Sequence, residues 1–184
     1  LLVEVLGGVL ALGCTRQYGT ALDLPDGLFG MSWAALLALA VCGILLSIAL
    51  IDAETQTIPD RLNFALAVCG VAGTALSPAG WRGHIIGAVC VSVPMFLLCL
   101  AIDGAFGGGD IKLMAAAGLF LGWQNTLLAM FCGILGGGVY GMYLLAAKKA
   151  DKKDHFAFGP FLCVGIVLAM LFGEPVLGWY CQFL

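Results

Sequence analysis

Charge is what this sequence has least of. Asp, Glu, Lys and Arg together make up 10% of its 184 residues, while 62% are hydrophobic and the mean hydropathy is +1.07. A water-soluble domain usually carries about 25% charged residues. There is too little polar side chain here to cover a globule in water, so a soluble domain is excluded and the surplus apolar surface faces lipid. The net charge of −3 and the lack of a basic patch exclude a nucleic-acid partner. Cysteine is present, but grouped cysteine is not: the eight residues at 14, 42, 69, 90, 99, 132, 163 and 181 stand singly, mostly in apolar runs, with no C-x-x-C. A structural zinc site needs clustered thiolates and a disulfide framework suits short secreted chains. These cysteines therefore read as small buried hydrophobes, and no metal site is expected. No repeat of fixed period occurs. The first residue is Leu rather than Met, which points to a fragment or a processed chain. The run 1–13 lacks the basic start and small-residue cleavage site of a signal peptide and reads as a membrane segment.

What the sequence does have is long apolar runs. A spanning helix needs about 20 apolar residues. By that measure the chain is all-α, a polytopic transmembrane helix bundle of about seven segments forming one membrane domain over 1–184. The expected segments are 1–13, 28–51, 62–76, 84–102, 112–123, 126–147 and 156–172. The fifth is too short to span upright unless it begins near the Gly-rich stretch before it. A tail follows Glu174-Pro175 and carries Trp179 and Tyr180 as an interfacial pair. The 27 glycines are spread through the segments, with Gly133 and Gly137 at G-x-x-x-G spacing, and read as sites of close helix packing.

Orientation follows from the basic residues. Lys148, Lys149, Lys152 and Lys153 are four of the eight, so their loop is expected on the cytoplasmic side. Alternation then places the loops at 52–61 and 103–112 on that side too, with 16–27, 77–83 and 123–125 outside. Arg16 and Arg82 dissent, but do not outweigh the lysine cluster. His84 and His155 fall on opposite faces and cannot share one metal site or one triad; both read as interfacial residues.

An aspartate in hydrocarbon costs about 2.5–3.5 kcal/mol on insertion scales, so the positions of the few acids carry information. Two clusters stand out, Ile51-Asp52-Ala53-Glu54 running to Pro59-Asp60, and Phe106-Gly107-Gly108-Gly109-Asp110-Ile111-Lys112. Glu54 and Asp103 read as solvated loop acids. Asp60 looks like a helix start, where acid is favourable. Asp52 ends a run without charge at the membrane boundary, and Asp110 follows three glycines that permit close approach of another chain. Two aspartates brought together in a partly desolvated site share a proton and titrate as a unit. One can take a proton from water while the other polarises a carbonyl, which is aspartic proteolysis without metal, Ser, Cys or His.

Gly107-Gly108-Gly109-Asp110 fits the G-x-G-D signature of intramembrane aspartic peptidases, and Lys112 fits its bacterial extension G-x-G-D-x-K. That signature alone is weak in a glycine-rich chain. Its specificity rises with Ile51-Asp52 and Ile58-Pro59-Asp60 upstream, Phe158-Gly159-Pro160-Phe161 downstream, and Leu2-Val3-Glu4 at the start. In this order the motifs resemble the type IV prepilin peptidases over nearly the whole chain. The resemblance implies a catalytic pair, Asp52 and Asp110. It also implies prepilin or pseudopilin partners cut after a glycine on the cytoplasmic face of a bacterial inner membrane, before a hydrophobic helix. Gly107, Gly108 and Gly109 would let the loop approach the substrate backbone. Lys112 would either lower a neighbouring carboxylate's pKa or meet anionic lipid. Asp60 and Glu54 are candidates for support, Asp60 the stronger. No cofactor is implied for proteolysis; S-adenosylmethionine enters only if methyl transfer is retained. The Cys-rich cytoplasmic domain of bifunctional members has no counterpart here, which leaves methyl transfer and zinc open, and the oligomeric state is not legible. Competing readings are a preflagellin-type or signal-peptide peptidase, a small ion transporter and a non-enzymatic assembly subunit. A signal-peptide peptidase commonly has Tyr before its first aspartate, where this chain has Ile51. A transporter calls for acids at mid-membrane depth.

Overall fold

The computed structural model describes residues 7, 10, 13–14, 33–76, 81–102, 106–146 and 157–182. The readings made on Leu2-Val3-Glu4, most of the first segment, the 16–27 loop, Asp103, the lysine cluster at 148–153 and His155 lie outside them. Among the described residues seven continuous helices follow one another: α1 (Trp33–Thr55), α2 (Asp60–Leu76), α3 (Trp81–Cys90), α4 (Ser92–Ala101), α5 (Gly108–Leu121), α6 (Trp123–Ala146) and α7 (Gly159–Cys181). No strand occurs among the described residues.

The all-helical expectation holds, while the count of about seven membrane segments is not reproduced. Among the described residues four stretches are long and apolar enough to cross a bilayer: Trp33–Thr55, Trp81–Ala101, Trp123–Leu144 and Gly159–Tyr180. The second combines α3 and α4, which part at Val91. Pro94 explains the break, because it has no N–H for the Cys90 carbonyl and its ring crowds that carbonyl. The chain restarts at Ser92, placing Pro94 in a first turn, where missing donors cost nothing. The fifth expected segment begins at the glycines, at Gly108. Its 14 residues reach about 21 Å at 1.5 Å per residue, short of the ~30 Å hydrocarbon layer. The last expected segment does not stop at 172. α7 continues through Glu174 and Pro175 to Cys181, because Pro175 removes only one backbone bond and apolar surroundings favour keeping the rest.

Large apolar side chains such as Phe64, Val71, Leu100 and Val139 point outward, while small residues line the helix contacts. α5 sits at the centre and touches α2, α3, α4, α6 and α7. Leu113, Met114, Ala117 and Gly118 are buried on it, against core residues that include Leu66 on α2 and Leu162 and Ile166 on α7. Glycine sets how closely these helices approach. A Cβ on Gly87 of α3 would stand 2.6 Å from the Gly118 carbonyl oxygen, and one on Gly118 would collide with the Gly87 carbonyl. The Gly133 and Gly137 pair faces Leu162 and Phe158, bearing out the packing reading of the G-x-x-x-G run. At the end of α5 the Leu119 carbonyl lies 2.8 Å from Thr74 Oγ1 and 3.0 Å from His84 Nδ1. His84 is therefore tied into the bundle rather than simply lying at an interface.

Because the obstacle at Gly118 is backbone rather than a movable side chain, Gly118→Val is expected to destabilise the protein by about 1–3 kcal/mol. Gly43 has nothing within 4 Å of its Cβ position, so Gly43→Ala is expected to leave stability unchanged or slightly raised. Thermal unfolding in detergent checks both.

Candidate active site

α1 carries no charge until Asp52, which lies in its last turns and is 5% exposed. The helix stops because Gln56 adopts φ 52°, a left-handed conformation that a non-glycine residue enters at a cost of about 1–2 kcal/mol. Thr55 Oγ1 helps to close this end, donating to the Ile51 carbonyl at 2.8 Å and lying 2.9 Å from Thr57 Oγ1. The turn carries the chain through Ile58 and Pro59, whose carbonyl accepts the amides of Leu62 and Asn63 and so starts α2.

A carboxylate near the carboxyl end of its own helix faces the unfavourable pole of that helix dipole. Asp52 is compensated from elsewhere, since its Oδ2 accepts the N–H of Gly159 at 3.0 Å. Gly159 opens α7, where backbone N–H groups lack helical partners and the dipole favours an anion. The approach requires glycine, because a Cβ there would meet Asp52 Oδ2 at 2.5 Å.

Asp110 is the third residue of α5 and 8% exposed. Its amide donates to the Gly107 carbonyl at 3.1 Å, and its Oδ2 accepts the Gly107 N–H at 3.3 Å, so the helix start is closed from both sides. The two N–H groups that hold the two aspartates thus belong to glycines that each follow a phenylalanine. The rings of Phe106 and Phe158 meet, with centroids 5.7 Å apart. Ile58 packs close to both Gly109 and Gly159, where a Cβ on either glycine would crowd it. Burial, reinforced by the neighbouring Asp52 charge and opposed by the Gly107 N–H, pushes Asp110 up to about 6. Cys163, one turn along α7 from Gly159, lies within electrostatic range of both carboxylates.

The charged sequence candidates Lys112, Asp60 and Glu54 do not reach this centre. Lys112 pairs with Asp60 at 2.7 Å on the surface, the two side chains 59% and 74% exposed. Such a pair contributes about 0–1 kcal/mol. Of the two roles considered for Lys112, the structure does supply a neighbouring carboxylate, and it is that of Asp60. Glu54 is exposed on α1. Sequence reading overlooked Asn63, which is 5% exposed, donates from Nδ2 to the Gly109 carbonyl at 3.3 Å, and leaves Oδ1 buried without a partner. It also gave no role to Gly159, whose only signal was its place in the Phe-Gly-Pro-Phe run. Beginning one turn along α1 from Asp52, an apolar cavity of about 190 Å³ runs between α1 and α7, lined by Leu45, Ala49, Cys163 and Val167 among others. Among the described residues no three His, Cys, Asp or Glu side chains converge on one point.

The fold and site define an all-helical protein with four apolar helical stretches long enough to span a bilayer and two buried aspartates where helix ends meet. The sequence pattern of the type IV leader peptidase family matches residues 38–142, and the chain belongs to that family. It is 31% identical, over 95% of its length, to the prepilin leader peptidase/N-methyltransferase of Burkholderia pseudomallei strain 1026b, covering 55% of that protein. The protein of the same name from Legionella pneumophila is 30% identical, over 97% of this chain and 60% of the relative. The one from Bacillus subtilis is 28% identical, over 84% of this chain and 62% of the relative. The chain thus spans a little over half the length of these curated relatives. No solved structure matches it. Methyl transfer, the second activity in those names, needs a donor such as S-adenosylmethionine, with a carboxylate and an adenine to be hydrogen-bonded. The cavity beside Asp52 is lined by aliphatic and thiol side chains that do not fit such a group.

Asp110 also makes stability depend on pH. Its native value of about 6 lies above the ~3.9 of an unfolded aspartate, so between those values the native state holds a proton that the unfolded chain has released. Stability is therefore full below pH ~4 and falls as pH rises through about 6. At ~1.4 kcal/mol per pH unit the loss is about 3 kcal/mol. Asp110→Asn, neutral at every pH, is expected to match the wild type near pH 4 and to exceed its stability by about 2–3 kcal/mol near pH 7.5. Denaturation at the two pH values checks this, and equal curves at both would contradict it.

Proposed function

We propose that this chain is a membrane aspartic endopeptidase domain that removes the leader peptide of type IV prepilins and pseudopilins, with Asp52 and Asp110 as its catalytic pair. The observation that carries this reading is the placement of two buried carboxylates at converging helix ends. One is anchored by a helix amino-terminal N–H, and the other is biased by burial and by its neighbour toward holding a proton. Family membership and relatives named prepilin leader peptidase support the substrate class.

In the proposed reaction a water lies between the two carboxyl groups. The Asp52 carboxylate takes a proton from that water as its oxygen attacks the scissile carbonyl carbon. Asp110 donates its proton to the carbonyl oxygen, giving a neutral tetrahedral gem-diol. Collapse of that species breaks the C–N bond, with the proton held by Asp52 passing to the leaving nitrogen and a gem-diol proton returning to Asp110. The cycle asks for no metal and no cofactor. Ile58, Phe106 and Phe158 restrict water around the pair, which strengthens each of these interactions. The apolar cavity along α1 and α7 suits the hydrophobic stretch that follows the cleavage point.

The lysines at 148–153 support an active site on the cytoplasmic face, and the family supports a bacterial membrane and a cut just after a glycine. Lys112, with Asp60, ties the starts of α5 and α2 together at that face. The test is co-expression of a prepilin with wild type, Asp52→Asn or Asp110→Asn, followed by leader loss on gels. Each substitution is expected to slow processing by at least about 100-fold. Wild-type processing by either variant would sink the pairing.

A further inference from the structure

We propose that Asn63 is a positioning residue for Asp110: its amide grips the Gly109 carbonyl and so fixes the direction in which α5 presents the Asp110 carboxylate. The inference rests on the peptidase role just given to Asp110.

Residues 107–109 are all glycine, so the backbone that delivers Asp110 has no side chains of its own with which to lock itself. The lock comes from α2. Asn63 Nδ2 donates to the Gly109 carbonyl, the residue immediately before Asp110. A carbonyl has two lone pairs, so this bond adds to the helical one without displacing it. Asn63 is itself fixed, because its backbone amide donates to the Pro59 carbonyl at 3.3 Å. Ile58, one residue before Pro59, packs against both Gly109 and Gly159. One short stretch, 58–63, therefore touches the glycine beside each aspartate.

The state of the Asn63 amide indicates what it is for. Its Oδ1 is buried and unpartnered, so the side chain is only half satisfied and makes a poor stability device. Leucine, of the same branched outline though larger, would leave no polar atom of its own unpaired. A half-satisfied amide kept in a buried position is explained by what its Nδ2 does to the Gly109 backbone. The Lys112–Asp60 pair joins the same two helix starts from outside, but it is exposed and weak and cannot set a buried angle.

The test compares Asn63→Leu and Asn63→Ala with wild type by hydrogen exchange in detergent and by prepilin cleavage kinetics. Both variants are expected to speed exchange at 109–112 by about tenfold, the loss of one hydrogen bond, with the rest of α5 unchanged. Cleavage kcat is expected to fall about 10- to 100-fold with KM within about threefold, since a small misplacement of a reacting group costs rate rather than binding. Asn63→Leu should unfold at or above the wild-type temperature. Exchange at 109–112 equal to wild type in both variants would overturn the proposal, as would kcat within twofold of wild type or a rise confined to KM. Faster exchange along the whole of α5 with a lowered unfolding temperature would also overturn it, by showing general loosening. If the wild type leaves prepilin uncut, the peptidase reading falls, and the exchange measurement still decides whether Asn63 holds the start of α5.

Discussion

Burying two carboxyl groups within electrostatic range of each other in a medium of low dielectric constant is the constraint on which this structure turns. Neither carboxylate can be left without hydrogen-bond donors, and both cannot ionise freely at close range. The protein meets the first requirement with backbone rather than with counter-ions. Asp52 accepts the Gly159 N–H and Asp110 accepts the Gly107 N–H. It meets the second by raising Asp110 rather than by inserting a cation, and Lys112 is turned away to the surface.

Much of the packing follows from needing those particular amides in reach. Gly159 can approach Asp52 only because it lacks a Cβ, and it is delivered by α7, which lies against α6 through Gly133 and Gly165. Gly107 is delivered by α5, the short central helix, whose far end is fixed by the Gly87–Gly118 contact and by Thr74 and His84 at the Leu119 carbonyl. The glycines that look like loose composition in the chain are thus the points at which helices come close enough to place two carboxylates together.

Asp110 stood out by the three glycines before it, and Asp52 because charge is so rare, a lone acid at the end of an uncharged run being conspicuous on desolvation grounds alone. The helical nature of the chain was legible for the same reason. The division of 81–101 into two helices was not, because hydropathy runs unbroken through Val91 and only Pro94 marks the place. Nor was the continuation of α7, since Glu174-Pro175 reads as a terminator in water but not in an apolar setting. Partners distant in sequence were the least visible. Gly159 meets Asp52 across 107 positions, and Lys112 meets Asp60 across 52. Asn63, in the first turn of a helix after Pro59-Asp60, looks like an ordinary cap-region residue and shows its purpose only once Gly109 is beside it.

The most direct test is to watch the proton itself. Difference infrared spectroscopy with isotope-labelled aspartate reads the protonated carboxyl of Asp110, identified by its loss in Asp110→Asn. The account predicts a band that persists well above the ordinary aspartate range, half-titrates near about 6, and moves to lower pH when Asp52 is replaced by Asn. A band that disappears near pH 4 and ignores the Asp52 substitution would show that the two carboxyl groups do not share an environment, and the pairing would be wrong.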